Sequence, residues 1–404
     1  MKTFLQPLQN LAEMEEIQKQ AKKNRGILEI SGCMESQKAH LMYGLSGLFP
    51  CHLVIAADEK SAKELYEDYR FYDKRVYYYP AKDLLFFQAD IHGNLLIRQR
   101  MQVIRALLER EDEITVVTSI DGCMDYLAPL EKIEKQLIHF RNDSTLDMDK
   151  LTAALVHMGY ERVGQVEMPG QLSIRGGIID IYSLTEENPW RIELWGDEID
   201  SIRSFDAQSQ RSLENLDDVT IYPAAEQPME KNGVSFLDYF KETETLFFLD
   251  ELNHLEENAK AVQEEFQQSC ENRKEKGEIS LSGDWMCTWE ELCHKINDRN
   301  CVAMSLLDPK KSNWKISGQF NITVKSMSSY QSSFELLVKD LKQYKKEGYQ
   351  IVLLSGSRTR AERLAKDLQE EGLNAFYGQD SDRILQPGEI MVAYGHARRG
   401  FEYP

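Results

Sequence analysis

Short apolar runs alternate with helix-period segments along the first ~125 residues, and this alternation confines the region to a parallel α/β architecture. Ile27–Ile30 reads as a strand and Gln37–Leu48 as the helix after it. Cys51–Ala56, Arg75–Tyr79 and Ile114–Thr118 read as further strands, with helices at Glu59–Tyr69 and Leu95–Glu109. A helix between successive strands is what parallel pairing requires.

The texture changes near residue 130. A short helix, Leu151–Met158, ends at Gly159, which suits a helix stop. From Arg162 to about Tyr222 the chain reads as short strands: Gln171–Ile174, Ile178–Tyr182, Trp190–Trp195 and Ile199–Phe205. Gly176-Gly177, Glu187-Asn188-Pro189 and Gly196-Asp197 separate them, as in antiparallel hairpins. After residue 223 the α/β texture returns with a strand at Leu246–Leu249 and a charged helical stretch from Leu255 to about Lys276. Helices at Ser332–Lys346 and Arg358–Glu371 and strands at Gln350–Leu354 and Glu389–Ala393 complete it. Four segments are expected: 1–130, an insert at 131–222, 223–328, and a small α/β domain at 329–404. The ending Gly400-Phe401-Glu402-Tyr403-Pro404 is an unusual natural terminus and suggests a piece of a longer protein.

The first strand runs into Gly32-Cys33-Met34-Glu35-Ser36-Gln37-Lys38-Ala39. A phosphate-binding loop needs GxxxxGK[ST] at this place. Gly32 and Lys38 fit. Gln37 stands where the second glycine must let backbone N–H groups reach phosphate, and Ala39 lacks the hydroxyl that ligates Mg²⁺. Glu35 adds negative charge. The plain alternative is a strand–turn–helix with a chance Gly and Lys. Either way no nucleotide, no metal and no other cofactor is expected, and no catalytic residue. The matching acidic pair would end an apolar strand, and Asp250-Glu251 after Phe247-Phe248-Leu249 has that shape.

A net charge of −19, from 48 basic and 67 acidic residues, disfavours a general grip on nucleic acid, which needs clustered Lys and Arg. A local basic patch is compatible with it. Arg358, Arg360, Arg363, Arg398 and Arg399 could touch nucleic acid, but exposed arginines usually mean only solubility. Seven cysteines without a CxxC pair point to a reducing cytoplasm. Cys287, Cys293, His294 and Cys301 have no standard zinc spacing. Neither a signal peptide nor a membrane-spanning run of about 18 apolar residues is present.

The segment from Met168 to Tyr182, MPGQLSIRGGIIDIY, continued by Trp190–Asp206, WRIELWGDEIDSIRSFD, is the most specific stretch. It resembles the second domain of the excision-repair protein UvrB and, more closely, the matching domain of the bacterial transcription-repair coupling factors (Mfd). Tyr79-Pro80-Ala81-Lys82-Asp83, Thr115–Asp121 and Ser355–Arg363 resemble that family too. The resemblance implies a degenerate helicase-like (RecA-type) parallel-sheet domain, interrupted by a mainly antiparallel α+β insert and followed by the small α/β domain. It implies that 131–222 binds UvrA through Arg175, Arg191 and Trp195. RNA polymerase and DNA would be engaged by a C-terminal part outside this chain, which could also mask the UvrA surface. UvrB carries a long Tyr-rich hairpin after the strand ending here at Tyr79, whereas only about fifteen residues stand here before the next helix. A docking module without ATPase activity is therefore expected; the alternative is a UvrB-like ATPase acting on damaged DNA.

Residue chemistry alone leaves the insert open. Arginine pairs bidentately with carboxylates, and an aromatic beside it can anchor a pocket. Arg191 and Trp195, four apart in a strand, share a face. Arg203 would lie nearby. The bland reading makes Trp195 core and leaves the arginines solvated or salt-bridged with Glu193 or Asp197.

Overall fold

Strands that read as unbroken apolar runs belong at the centre of a sheet covered on both faces, and the structure puts them there. It is a computed structural model describing residues 2–23, 25–82, 94–226, 233–276, 286–307, 314–327, 330, 333–378 and 383–403. The main sheet comprises β1 (Gly26–Ser31), β2 (Cys51–Ala56), β3 (Val76–Tyr79), β4 (Ile114–Ser119), β5 (Thr245–Asp250), β6 (Asn300–Ser305) and β7 (Ile316–Asn321). Its order is β7-β1-β6-β5-β2-β4-β3, with every pairing parallel. Strands from both sides of the insert thus interleave in one sheet.

Alternate residues of each strand feed two cores. Leu28, Ile30, Val54, Phe248 and Val302 point to one face. That face is covered by helices α1 (Lys2–Gln9), α2 (Met14–Lys23), α3 (Glu35–Ser46) and α4 (Glu59–Tyr69). Ile27, Leu53, Ile55, Phe247 and Leu249 point to the other face, under the helices Asn94–Leu108, Leu252–Glu275 and Trp289–Asn297. The second core continues into the insert through Leu172, Ile179, Ile192 and Ile202, so the insert is packed onto the main sheet.

The insert is built on a six-stranded sheet, antiparallel except for one short edge pairing. The spatial order is Ser212–Leu216, Glu198–Phe205, Trp190–Trp195, Ile178–Ile181, Gln171–Arg175, Glu161–Arg162. Arg175 pairs with Ile178 across a two-residue turn, where Gly176 adopts the left-handed φ of +60°. Further on, Ile351–Ser355, Ile390–Tyr394 and Ala375–Tyr377 form a small parallel sheet. The helices Phe334–Glu347 and Arg358–Glu370 cover one of its faces.

The helices α1 and α2 and the strands β6 and β7 have no counterpart in the expected pattern. α1 contains Pro7, α2 is polar over most of its length, and β7 is an edge strand exposed at alternate positions. Tertiary contacts hold α1 in place. Thr3 Oγ1 donates to the Arg383 carbonyl at 2.6 Å, Gln6 exchanges two bonds with the Leu385 backbone, and Phe4 packs with Met391 and Ala393 of the small sheet. Residues 83–93, where the missing hairpin was inferred, lie outside the described residues. Among the described residues no helix is long and apolar enough to cross a membrane.

Gly32 turns β1 into α3 with a φ of +81°, and a Cβ there would meet the Ile322 carbonyl oxygen at 2.0 Å. Gly32→Ala is expected to lower stability by about 3 kcal/mol in chemical denaturation, through left-handed strain and backbone clash.

Candidate functional site

The loop after β1 brings Lys38 to the end of β5. Its ammonium is 2.6 Å from Asp250 Oδ1 and 2.6 Å from Glu251 Oε1, with only 7% of the side chain exposed. One cation between two carboxylates leaves a net negative group. Burial works against the ammonium, but Asp250 and Glu251 outweigh it and hold its pKa above the usual lysine value. Glu251 has a left-handed φ of +56°, sparse territory for a residue with a Cβ. Its Oε1 also accepts from Leu306 N at 2.9 Å.

Gln37 fills the rest of the loop. Its Oε1 accepts from Met34 N at 3.2 Å and its Nε2 donates to the Tyr403 hydroxyl at 3.2 Å. Tyr403 lies 3.0 Å from His40 Nδ1, and His40 Nε2 lies 2.5 Å from the Phe4 carbonyl. A neutral His40 satisfies this chain, with Nε2–H donating to Phe4 and Nδ1 accepting from Tyr403. Arg398 pairs with Asp68 and Glu64 of α4, and Arg399 N donates to Ser36 Oγ at 3.1 Å. Ala39 is buried among apolar groups. A cleft of about 510 Å³ remains over the loop, lined by Glu35, Glu64, Asp250 and Glu251 as well as by Arg398 and Arg399.

The insert presents a different surface. Trp190, Ile192 and Leu194 face the core, and Arg191, Glu193 and Trp195 face away, as their spacing requires. Trp195 is 83% exposed, so it is not a core residue. Arg175 and Arg191 are not salt-bridged with Glu193 or Asp197, and Arg175 keeps half of its side chain in solvent. Arg191 donates from Nε to Asp180 Oδ1 at 2.7 Å and from Nη2 to Asp180 Oδ2 at 2.9 Å. Arg175 donates from Nη2 to the same Oδ2 at 2.8 Å. Glu193 takes Arg203 instead. Leu194 N donates to the Gly177 carbonyl at 2.8 Å, which sets Leu194 against the turn that follows Arg175, and Trp195 opens the next turn, Gly196-Asp197. Sequence reading did not single out Asp180, which looks like an ordinary strand-end carboxylate until its register opposite Arg191 is known.

The suspected metal residues do not converge. Cys287, Cys293 and Cys301 are buried free thiols and His294 is largely exposed; no metal-holding group of His, Cys, Asp and Glu occurs among the described residues. Arg100, by contrast, is fully buried between Asp125 and Glu226 with its guanidinium 4.3 Å from the Tyr79 ring centroid, an anchor that sequence gave no reason to expect.

Residues 138–226 match the family model of the UvrB interaction domain. The insert is thus similar to that family. Beyond it, the chain is similar to a transcription-repair-coupling factor of Bacillus subtilis, 28% identical over 93% of this chain and 38% of the relative. Those of Staphylococcus haemolyticus and Staphylococcus aureus are 25% and 24% identical over 81% and 82% of the chain. The chain spans about a third of the length of these relatives, 38%, 32% and 33% respectively. The resemblance read from the insert's strands is borne out by both comparisons.

Lys38→Met strands two buried carboxylates and is expected to cost about 3–5 kcal/mol, much of it recovered by adding Asp250→Asn and Glu251→Gln. Urea titrations of the variants measure this. Burial also pulls the His40 pKa down to about 4 from 6.5, with the Phe4 carbonyl opposing. The unfolded chain then binds the extra proton, so stability falls as pH drops from about 6.5 through about 4. His40→Gln is expected to flatten that decline by up to about 1.4 kcal/mol per pH unit.

Proposed function

We propose that this chain is a docking module of transcription-coupled excision repair that recruits UvrA through its UvrB interaction domain and does not hydrolyse ATP. The observation that carries the reading is the exposed Trp195 and the half-exposed Arg175, both on the outer face of a domain matched as a UvrB interaction domain. An indole and a guanidinium on one exposed face are the residue types that dominate protein interfaces. Arg175 and Trp195 are read as direct contacts. Arg191, 14% exposed, contributes its outer edge.

The parallel-sheet domain is read as a degenerate helicase-like fold of RecA type. Its phosphate loop is occupied from within, by Gln37 and by the carboxylates on Lys38. An incoming triphosphate would have to displace both carboxylates and would still lack the Mg²⁺-ligating hydroxyl. Engagement of RNA polymerase and DNA, and any masking of the UvrA surface, are assigned to parts of a longer protein.

Titration of UvrA against Trp195→Ala and Arg175→Ala is expected to show binding weakened about 10-fold or more, with unfolding midpoints near that of the unsubstituted chain. Unchanged affinity removes these residues from the contact. Mg-ATP is expected to leave the thermal midpoint where it is; a clear upward shift with hydrolysis would favour a UvrB-like ATPase.

A further inference from the structure

Asp180 lies in the middle of the insert's sheet and is 1% exposed, yet it faces the outer side. Arg191 alone satisfies it, with Nε on Oδ1 and Nη2 on Oδ2. Arg191 is itself fixed on two further sides. Its Nη2 donates to Gln210 Oε1 at 3.0 Å, and its guanidinium carbon sits 4.4 Å from the Phe205 ring centroid. The carboxylate is therefore neutralised and hydrogen-bonded without help from Arg175. Arg175 nevertheless adds a third bond to the carboxylate, on Oδ2, from a side chain that remains 50% exposed.

That third bond does little for the fold and much for the direction of Arg175. A surface arginine ordinarily samples many rotamers, and fixing one on binding costs affinity. Here one Nη is tied to a carboxylate locked in the sheet, which points the guanidinium back along the outer face of the sheet toward Arg191. The trio of Arg175, Arg191 and Asp180 carries one surplus positive charge, presented at Arg175. Resting on the docking reading above, we propose that Asp180 is a positioning residue. It preorganises Arg175 to receive an acidic side chain of UvrA on the same face that exposes the Trp195 indole.

The test is a double-mutant cycle on UvrA binding by the full chain. Asp180→Asn keeps the side-chain volume but turns an amide nitrogen toward the arginine donors. It is expected to weaken binding about 10-fold, like Arg175→Ala, while Arg175→Ala adds less than about 3-fold in the Asp180→Asn background. Losses that multiply, or full affinity in Asp180→Asn, overturn the proposal. If the melting curve shows that Asp180→Asn does not fold, Asp180→Glu answers the same question. It retains the charge on Arg191 but displaces the carboxylate, and it is expected to fold, bind more weakly and show the same non-additivity. Full affinity there, or losses that multiply, again overturns the proposal. If the unsubstituted chain binds no UvrA, the docking reading itself fails and this proposal with it.

Discussion

Lys38, held between Asp250 and Glu251, is the contact on which the rest depends. It joins the start of α3, in the first part of the chain, to the end of β5, beyond the insert. A buried ion pair adds little net stability over an apolar substitute, but losing one partner is costly. The triad therefore acts as a register pin between the two halves of the sheet. It also uses up the cation that a phosphate would need. The chain from Gln37 through Tyr403 and His40 to Phe4 closes the same loop from the other side, linking it to the last segment and to α1.

A frame fixed in this way can carry a binding surface. The core beneath the main sheet runs without a break into the insert, so the outer face of the insert is borne on packed strands. On that face a buried carboxylate sets two arginines, and a tryptophan stands in solvent at the adjacent turn. Tryptophan and arginine are enriched among the residues that dominate protein interfaces.

Much of this was legible in the sequence because the features are local. β2 and α4 have the bounds read from their apolar pattern, and the loop's defects at Gln37 and Ala39 are visible as residue types. The acidic pair at the end of β5 was legible too, but not that it would close on Lys38. That contact spans 212 residues, and the bond from Gln37 to Tyr403 spans 366. No periodicity encodes such pairings. β7 went unread because an edge strand needs apolar residues on one face only, and α1 because tertiary packing rather than propensity holds it. In the insert, alternation placed Arg191 and Trp195 on one face correctly. It could not show that Asp180 would draw Arg191 inward and leave Trp195 out.

Amide hydrogen exchange of the chain with and without UvrA tests the division between frame and face most directly. Slowed exchange is predicted around the Gly176-Gly177 and Gly196-Asp197 turns and along Trp190–Trp195, with Gly32–Ser46 unchanged. Slowed exchange centred on Gly32–Ser46, with the insert unaffected, would contradict it.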